Sequence, residues 1–389
     1  MEGFNVIYFD HAATSWPKPP EVMEAMARFM NETGANPGRA GHRLAVAAGR
    51  VVDNAREAIA GIFHAPDPLR VVFGPNITEA LNLCLRGMLQ PGDHIVTGSM
   101  EHNSMMRPLR ALEKQGVQVS VAPCTPDGSL DPDVIKRLIR TNTKLVALNH
   151  ASNVVGTLVP VSYVGLICRD HDLLLLVDTA QSAGSVPIDL REAMIDLLAF
   201  TGHKSLYGPM GTGGLVAGSR VVAGQIEPLK RGGTGSYSEY EEQPDFLPDA
   251  LESGTLNAVG LSGLSAGISW IQSQGITTLR QHEIQLTQRL IEGLTEVPGV
   301  TVYGTKDATK QTAVVSFRII GQQVSETGFR LDEEYGILCR VGLHCAPNAH
   351  KTIGTFPEGT VRFGLSPMNT MEEIDYAIQA VARLAKEAR

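Results

Sequence analysis

The chain has no cysteine framework. Its five cysteines, Cys84, Cys124, Cys168, Cys339 and Cys345, are odd in number, widely spaced and free of any CxxC pair. That argues against a secreted disulfide scaffold and a four-cysteine zinc site, and it fits a reducing compartment. A long hydrophobic run is also missing. The densest one, Leu173–Val177, is far too short to span a bilayer. Met1–Asp10 has neither a basic start nor an apolar centre, so no signal peptide is expected and the reading is cytoplasmic, with no membrane partner. Basic charge is not in excess either. Lys and Arg number 33 against 41 Asp and Glu, a net charge of −8, which argues against a dedicated binder of nucleic-acid phosphates. Internal repeats and low-complexity segments are absent.

What remains is an ordinary globular composition. The 389 residues are 43% hydrophobic, enough for two or three domains with their own cores. Short runs that are apolar on both parities recur: Arg70–Phe73, His94–Thr97, Val117–Val121, Leu145–Leu148, Leu173–Val177, Leu197–Phe200 and Gly214–Ala217. Such runs predict strands buried on both faces. Helical spacing separates several of them, over Leu44–Phe63, Ile77–Met88, Asp131–Arg140 and Val161–His171. This alternation predicts an α/β domain with a mainly parallel sheet and helices on both faces. The segment Arg231–Asn257 reads as a long loop. After it come one helical stretch over Gly260–Leu294, strands at Val300–Tyr303, Ala313–Phe317 and Val361–Leu365, and a last helix opened by a Thr370–Glu373 capping box. That tail predicts a smaller α+β domain. The expected division is 15–257 for the larger domain, and 1–14 with 258–389 for the smaller.

Three local patterns carry chemistry. The run Leu173–Asp178 ends a buried strand in a carboxylate, at the edge where α/β sheets gather ligands; a helix cap is the plainer alternative. The run Leu197–Tyr207 leads from a buried strand into Thr201-Gly202-His203-Lys204. A lysine there is costly unless its amine is neutral or paired, and one use of a desolvated lysine is as a Schiff-base nucleophile; an ordinary loop lysine is the alternative. In Phe73–Asn82 a Gly-Pro turn precedes a helix whose free N–H groups can hold an anion; simple capping is the alternative. Gly208–Gly214 fails the GxGxxG spacing and comes too late in the chain for a dinucleotide site.

Asp178 precedes Lys204 by 26 residues, each at an expected strand end. Pyridoxal phosphate chemistry needs a lysine, an acid for the ring nitrogen and a phosphate cup. With that spacing the chain resembles the class V aminotransferase superfamily of fold type I, in its cysteine desulfurase and selenocysteine lyase branch. The resemblance runs through Tyr8–Thr14, Asn76–Asn82, Glu101–Asn103, His150–Gly156, Val177–Ser182, Thr201–Lys204, Glu252–Asn257, Arg340–Ala346 and Val361–Gly364. It implies that Lys204 carries the cofactor, Asp178 meets the ring nitrogen, His102 stacks on the ring and Gln181 bonds its phenolic oxygen. It implies a phosphate cup of Thr78, Thr201 and His203 with the Ile77 and Thr78 N–H groups. Thr255 stands where the family reaches a neighbouring subunit's phosphate, which implies a homodimer. Asn153 and Arg362 would meet the substrate, the arginine forking onto its carboxylate.

The resemblance also singles out Cys345, in the polar stretch Gly342–His350. It implies that the thiolate takes sulfur from L-cysteine as a persulfide and leaves L-alanine. A nearby histidine or other cation would assist by lowering the thiol pKa. Cys84, Cys124, Cys168 and Cys339 are expected to be structural. A zinc site of Cys339, His344, Cys345 and His350 is conceivable by residue type but lacks paired spacing. The short Arg340–Ala346 form resembles the SUF-type group, which hands sulfur to a small acceptor protein. Asn103 after His102, and the loop 231–246, depart from the best-known SUF enzyme. L-Selenocysteine as substrate, another class V reaction, and a non-catalytic sulfur carrier stand as alternatives.

Overall fold

A computed structural model describes residues 6–37 and 41–388. The expected domain ends at 1–5 and 389 lie outside them. Seven strands form the larger sheet, in the order Val71–Gly74, Gly213–Ala217, Leu197–Thr201, Leu174–Asp178, Thr143–Asn149, His94–Gly98, Gln118–Ala122. Gly213–Ala217 runs antiparallel to both neighbours, and the other six strands share one direction.

The strands read as unbroken apolar runs because both faces are covered. Leu175, Val177, Leu198 and Phe200 enter one buried cluster with the helices Arg43–Ile62 and Ala258–Gln274. Their neighbours Leu176, Leu197 and Ala199 enter another, with Ile77–Met88 and Asn103–Glu113. This period-2 division of one strand between two cores is what a helix-covered sheet requires.

A second, antiparallel sheet has the order Arg340–Gly342, Thr360–Gly364, Val314–Ile319, Val300–Tyr303. It packs with the helices Ile276–Glu296 and Met371–Glu387 in a separate cluster. The capping box forms: Thr370 accepts from the Glu373 N–H at 3.2 Å, and the Glu373 side chain accepts from the Thr370 N–H at 3.1 Å. Residues 7–15 tie the smaller domain to the larger one, where the Ser15 N–H donates to the His203 carbonyl at 3.1 Å. Ile7–Tyr8 pairs with Ile337–Leu338, and the His11 N–H donates to Gly364 at 3.1 Å.

The single helical stretch expected over Gly260–Leu294 is two helices, Ala258–Gln274 and Ile276–Glu296. Gly275, with φ +80°, breaks it in a conformation that side chains resist. Helices also form at Pro20–Arg28, Asn103–Glu113, Val324–Tyr335 and Pro347–Thr352. Pro108 inside the second of these hides its helical character in the sequence.

Candidate active site

Three neighbouring parallel strands end side by side at Asn149, Asp178 and Thr201. Over their carboxyl ends lies a cavity of about 230 Å³. Ile77, Thr78, His102, Asn153, Asp178 and Gln181 line it, together with Thr201, His203 and Lys204. So nine of the twelve residues singled out in the sequence share one cavity; Thr255, Cys345 and Arg362 do not line it.

Asp178 is buried, and its Oδ1 accepts from the Ala180 N–H at 2.9 Å. The residues that follow form turns, not a helix, so Asp178 is not a helix cap. Burial pushes its pKa up, and the Ala180 N–H and the charge of Lys204 pull it back. Lys204 follows the Leu197–Thr201 strand through Gly202, where a side chain would run into Thr212. Burial lowers the Lys204 pKa to about 8; Asp178 opposes the shift, and Arg362 and Arg340 add to it.

At the end of the cavity formed by the helix start, Asn76 caps Ile77–Met88 by accepting from the Glu79 N–H at 3.0 Å. Helix geometry leaves the Ile77 and Thr78 N–H groups without intrahelical partners. Thr201 Oγ1 and His203 Nδ1 are buried there with no hydrogen-bond partner.

His102 caps Asn103–Glu113. Its Nδ1 accepts from the Ser104 N–H at 3.0 Å and lies 2.8 Å from the Ser104 hydroxyl. Burial, then Lys204, lower its pKa to about 4. The ring is therefore neutral at ordinary pH, and its proton is assigned to Nε2 from this bonding. Gln181 donates to the Ala12 carbonyl at 3.0 Å.

Arg362, only 2% exposed, sits on the second sheet. Nη2 donates to Asp10 at 2.8 Å and Nη1 to the Asn153 carbonyl at 3.0 Å, while Nε is buried without a partner. Asn153 in turn donates to the His344 carbonyl at 2.6 Å and keeps a buried, unpartnered Oδ1. Arg362 and the Cys345 turn thus reach the cavity wall through Asn153. Cys345 itself is exposed. Its carbonyl accepts from the Asn103 N–H at 2.8 Å.

His344 does not act as a cation beside the thiol. It is buried, and burial with the Arg362 charge lowers its pKa to about 2. Burial pushes the Cys168 and Cys339 thiols up to about 12, and Cys84 and Cys124 upward as well. Among the described residues, no three His, Cys, Asp or Glu side chains form a metal-ligating group. Thr255 lies apart, in another cavity with Arg56, Glu252 and Gly254. Asp10 and Ser104 were not singled out in the sequence. Asp10 lies within the Tyr8–Thr14 motif, whereas Ser104, the second residue of the helix that His102 caps, carries no local sequence signal of its role.

The description of the family model that matches residues 7–377 is aminotransferase class-V. A probable cysteine desulfurase of Methanothermobacter thermautotrophicus is 35% identical over 384 residues, covering 97% of this chain and 94% of the relative. A cysteine desulfurase of Pectobacterium atrosepticum is 32% identical, covering 99% and 94%. The apo structure of a cysteine desulfurase from Thermococcus onnurineus superposes with a TM-score of 0.91 at 33% identity, covering 98% of this chain and 95% of that one.

Proposed function

The chain belongs to the class-V aminotransferase family, and from that premise we propose that it is a cysteine desulfurase, converting L-cysteine to L-alanine with the sulfur held on Cys345. The family fold is fold type I and its cofactor is pyridoxal phosphate. The cavity fits that group. Thr201 Oγ1 and His203 Nδ1 are orphaned beside the free N–H groups of a helix start, which suits a phosphate. Asp178 suits a pyridinium nitrogen, Gln181 the phenolic oxygen and His102 the ring face. When bound, pyridoxal phosphate holds the amino acid and takes up the electron pair left by the α-proton.

The chain's own residues supply the rest. Lys204 would hold the cofactor, and its lowered pKa makes it an amine able to move the α-proton. Arg362 and Asn153 orient the substrate carboxylate. His102 presents Nε2–H. The Cys345 thiolate attacks the substrate sulfur; the new S–S bond forms as C–S breaks, and the pair from C–S goes to the carbon fragment, which leaves protonated as L-alanine. Cysteine and thiol become alanine and persulfide, with no external oxidant.

The observation that carries this reading is the exposed Cys345, tied by its carbonyl to Asn103, next to His102. Its exposure supports transfer to a small acceptor protein. The place of Thr255, outside the Lys204 cavity, supports a homodimer in which it serves the partner's site. The two separate sheets support the division 15–257 against 1–14 with 258–389, although Ala258–Gln274 packs on the larger sheet's core. Five free cysteines support a cytoplasmic setting. None of the helices among the described residues is long and apolar enough to cross a membrane.

The test is to incubate the cofactor-loaded protein with L-cysteine and L-selenocysteine separately. L-Alanine from cysteine is the expected result. Alanine from selenocysteine alone makes the protein a selenocysteine lyase, and alanine from neither removes the reading.

A further inference from the structure

Leu343–Ala346 is a tight turn, closed by the Ala346 N–H donating to Leu343 at 2.9 Å. Its two central residues are His344 with φ +48° and Cys345 with φ +57°. Turns of this mirror-image kind are normally built from Gly, Asn or Asp. Here two side-chain-bearing residues are held in the left-handed region in succession, so the turn needs support from outside itself.

The support is visible. His344 is only 5% exposed while its neighbour Cys345 is open to solvent. His344 Nε2 lies 3.1 Å from Thr360 Oγ1, Thr360 donates to Ser316 at 3.1 Å, and Ser316 donates to the Val154 carbonyl at 2.5 Å. Every hydroxyl in this chain donates forward, so the imidazole proton sits on Nε2 and heads the chain. The path returns through Asn153, which donates to the His344 carbonyl. The His350 ring backs the His344 ring at 5.5 Å between centroids.

We propose that His344 is a positioning residue for the Cys345 thiol: its buried imidazole, anchored through Thr360 and Ser316, fixes the turn that holds Cys345 against the His102–Asn103 step. The proposal rests on the desulfurase reading for its kinetic consequence, since misplacing a reacting atom by about 1 Å can cost on the order of 100-fold in rate. Its structural consequence stands without that reading.

The experiment uses the cofactor-loaded protein with His344→Gly, Thr360→Val and the two combined. Glycine suits the turn's backbone, so His344→Gly removes the anchor without straining φ. Transfer of the first sulfur onto Cys345, read by rapid quench and mass spectrometry, is expected to slow at least about tenfold. Cofactor absorbance and KM for L-cysteine are expected to stay within about twofold. Thr360→Val acts in the same direction, and the combined variant is no slower than His344→Gly because both break one path. Independently, the Asn103 amide, bonded to the Cys345 carbonyl, loses hydrogen-exchange protection by about tenfold. Wild-type transfer with unchanged Asn103 protection in His344→Gly overturns the proposal. So does a loss shared equally by KM, absorbance and rate, which marks a merely structural residue. If wild-type protein forms no persulfide, the desulfurase reading fails, and Asn103 exchange alone decides the proposal.

Discussion

The Asn103 N–H donates to the Cys345 carbonyl at 2.8 Å. Residues far apart in sequence are thereby one hydrogen bond apart. Asn103 begins the helix capped by His102, a wall of the Lys204 cavity, and Cys345 is the exposed thiol. The bond ties the proposed cofactor site to the proposed sulfur acceptor, and each part of that assembly can be tested separately.

Cys345→Ser keeps the cavity and loses the thiol. The variant is expected to bind pyridoxal phosphate with unchanged absorbance and to release sulfide from L-cysteine roughly 100-fold more slowly or worse. Wild-type turnover by this variant shifts the chemistry away from Cys345.

Arg362 meets Asp10 and the Asn153 carbonyl with separate guanidinium nitrogens. Lysine cannot reproduce that fork. Arg362→Lys is expected to raise KM for L-cysteine about tenfold or more, with cofactor absorbance retained. Steady-state kinetics decide it, and an unchanged KM removes Arg362 from substrate binding.

Lys204 gives a pH signature in cofactor-free protein. Its folded pKa is lowered to about 8 from 10.5. Between those values the unfolded chain holds the proton and the folded chain does not, so this group's contribution to stability rises with pH across that window. The rate of cofactor rebinding follows the neutral amine. It is expected to rise to a plateau with a midpoint near pH 8 in stopped-flow absorbance. A midpoint near 10.5 means the amine is not desolvated.

Arg56 and Glu252 form a buried ion pair, with Arg56 Nη1 3.1 Å from Glu252 Oε2 and the Phe73 N–H donating to the same oxygen. Their bond pins the segment before Thr255 to the larger sheet. Arg56→Met leaves the carboxylate buried and unpaired, and is expected to cost about 3 kcal/mol in urea unfolding. A loss below about 0.5 kcal/mol, the range of neutral surface changes, contradicts that anchoring role.

Much of this was legible before the structure. Asp178 ends, and Lys204 closely follows, runs whose two-sided hydrophobicity marks buried strands, and their spacing and flanking motifs point to one cofactor. Ile77–Met88 was bounded correctly by its turn and its period. Other features left little local signal. The break at Gly275 is a single glycine between two helical patterns. Pro108 masks the helix behind His102. The positive φ of His344 and Cys345 is carried by residues that do not advertise it. The inward turn of His344, which rules it out as a cation beside the thiol, depends on Thr360, Ser316 and Val154, brought together only by the second sheet and the loop after Asn149.

The most direct test of the central claim is a mass measurement on the Cys345 peptide. Cofactor-loaded protein is mixed with sulfur-labelled L-cysteine, quenched within one turnover, alkylated and digested. The account predicts one labelled sulfur on Cys345 as a persulfide for each L-alanine released, and none on Cys84, Cys124, Cys168 or Cys339. Alanine released with Cys345 unmodified, and the label found as free sulfide or on another cysteine, would contradict it.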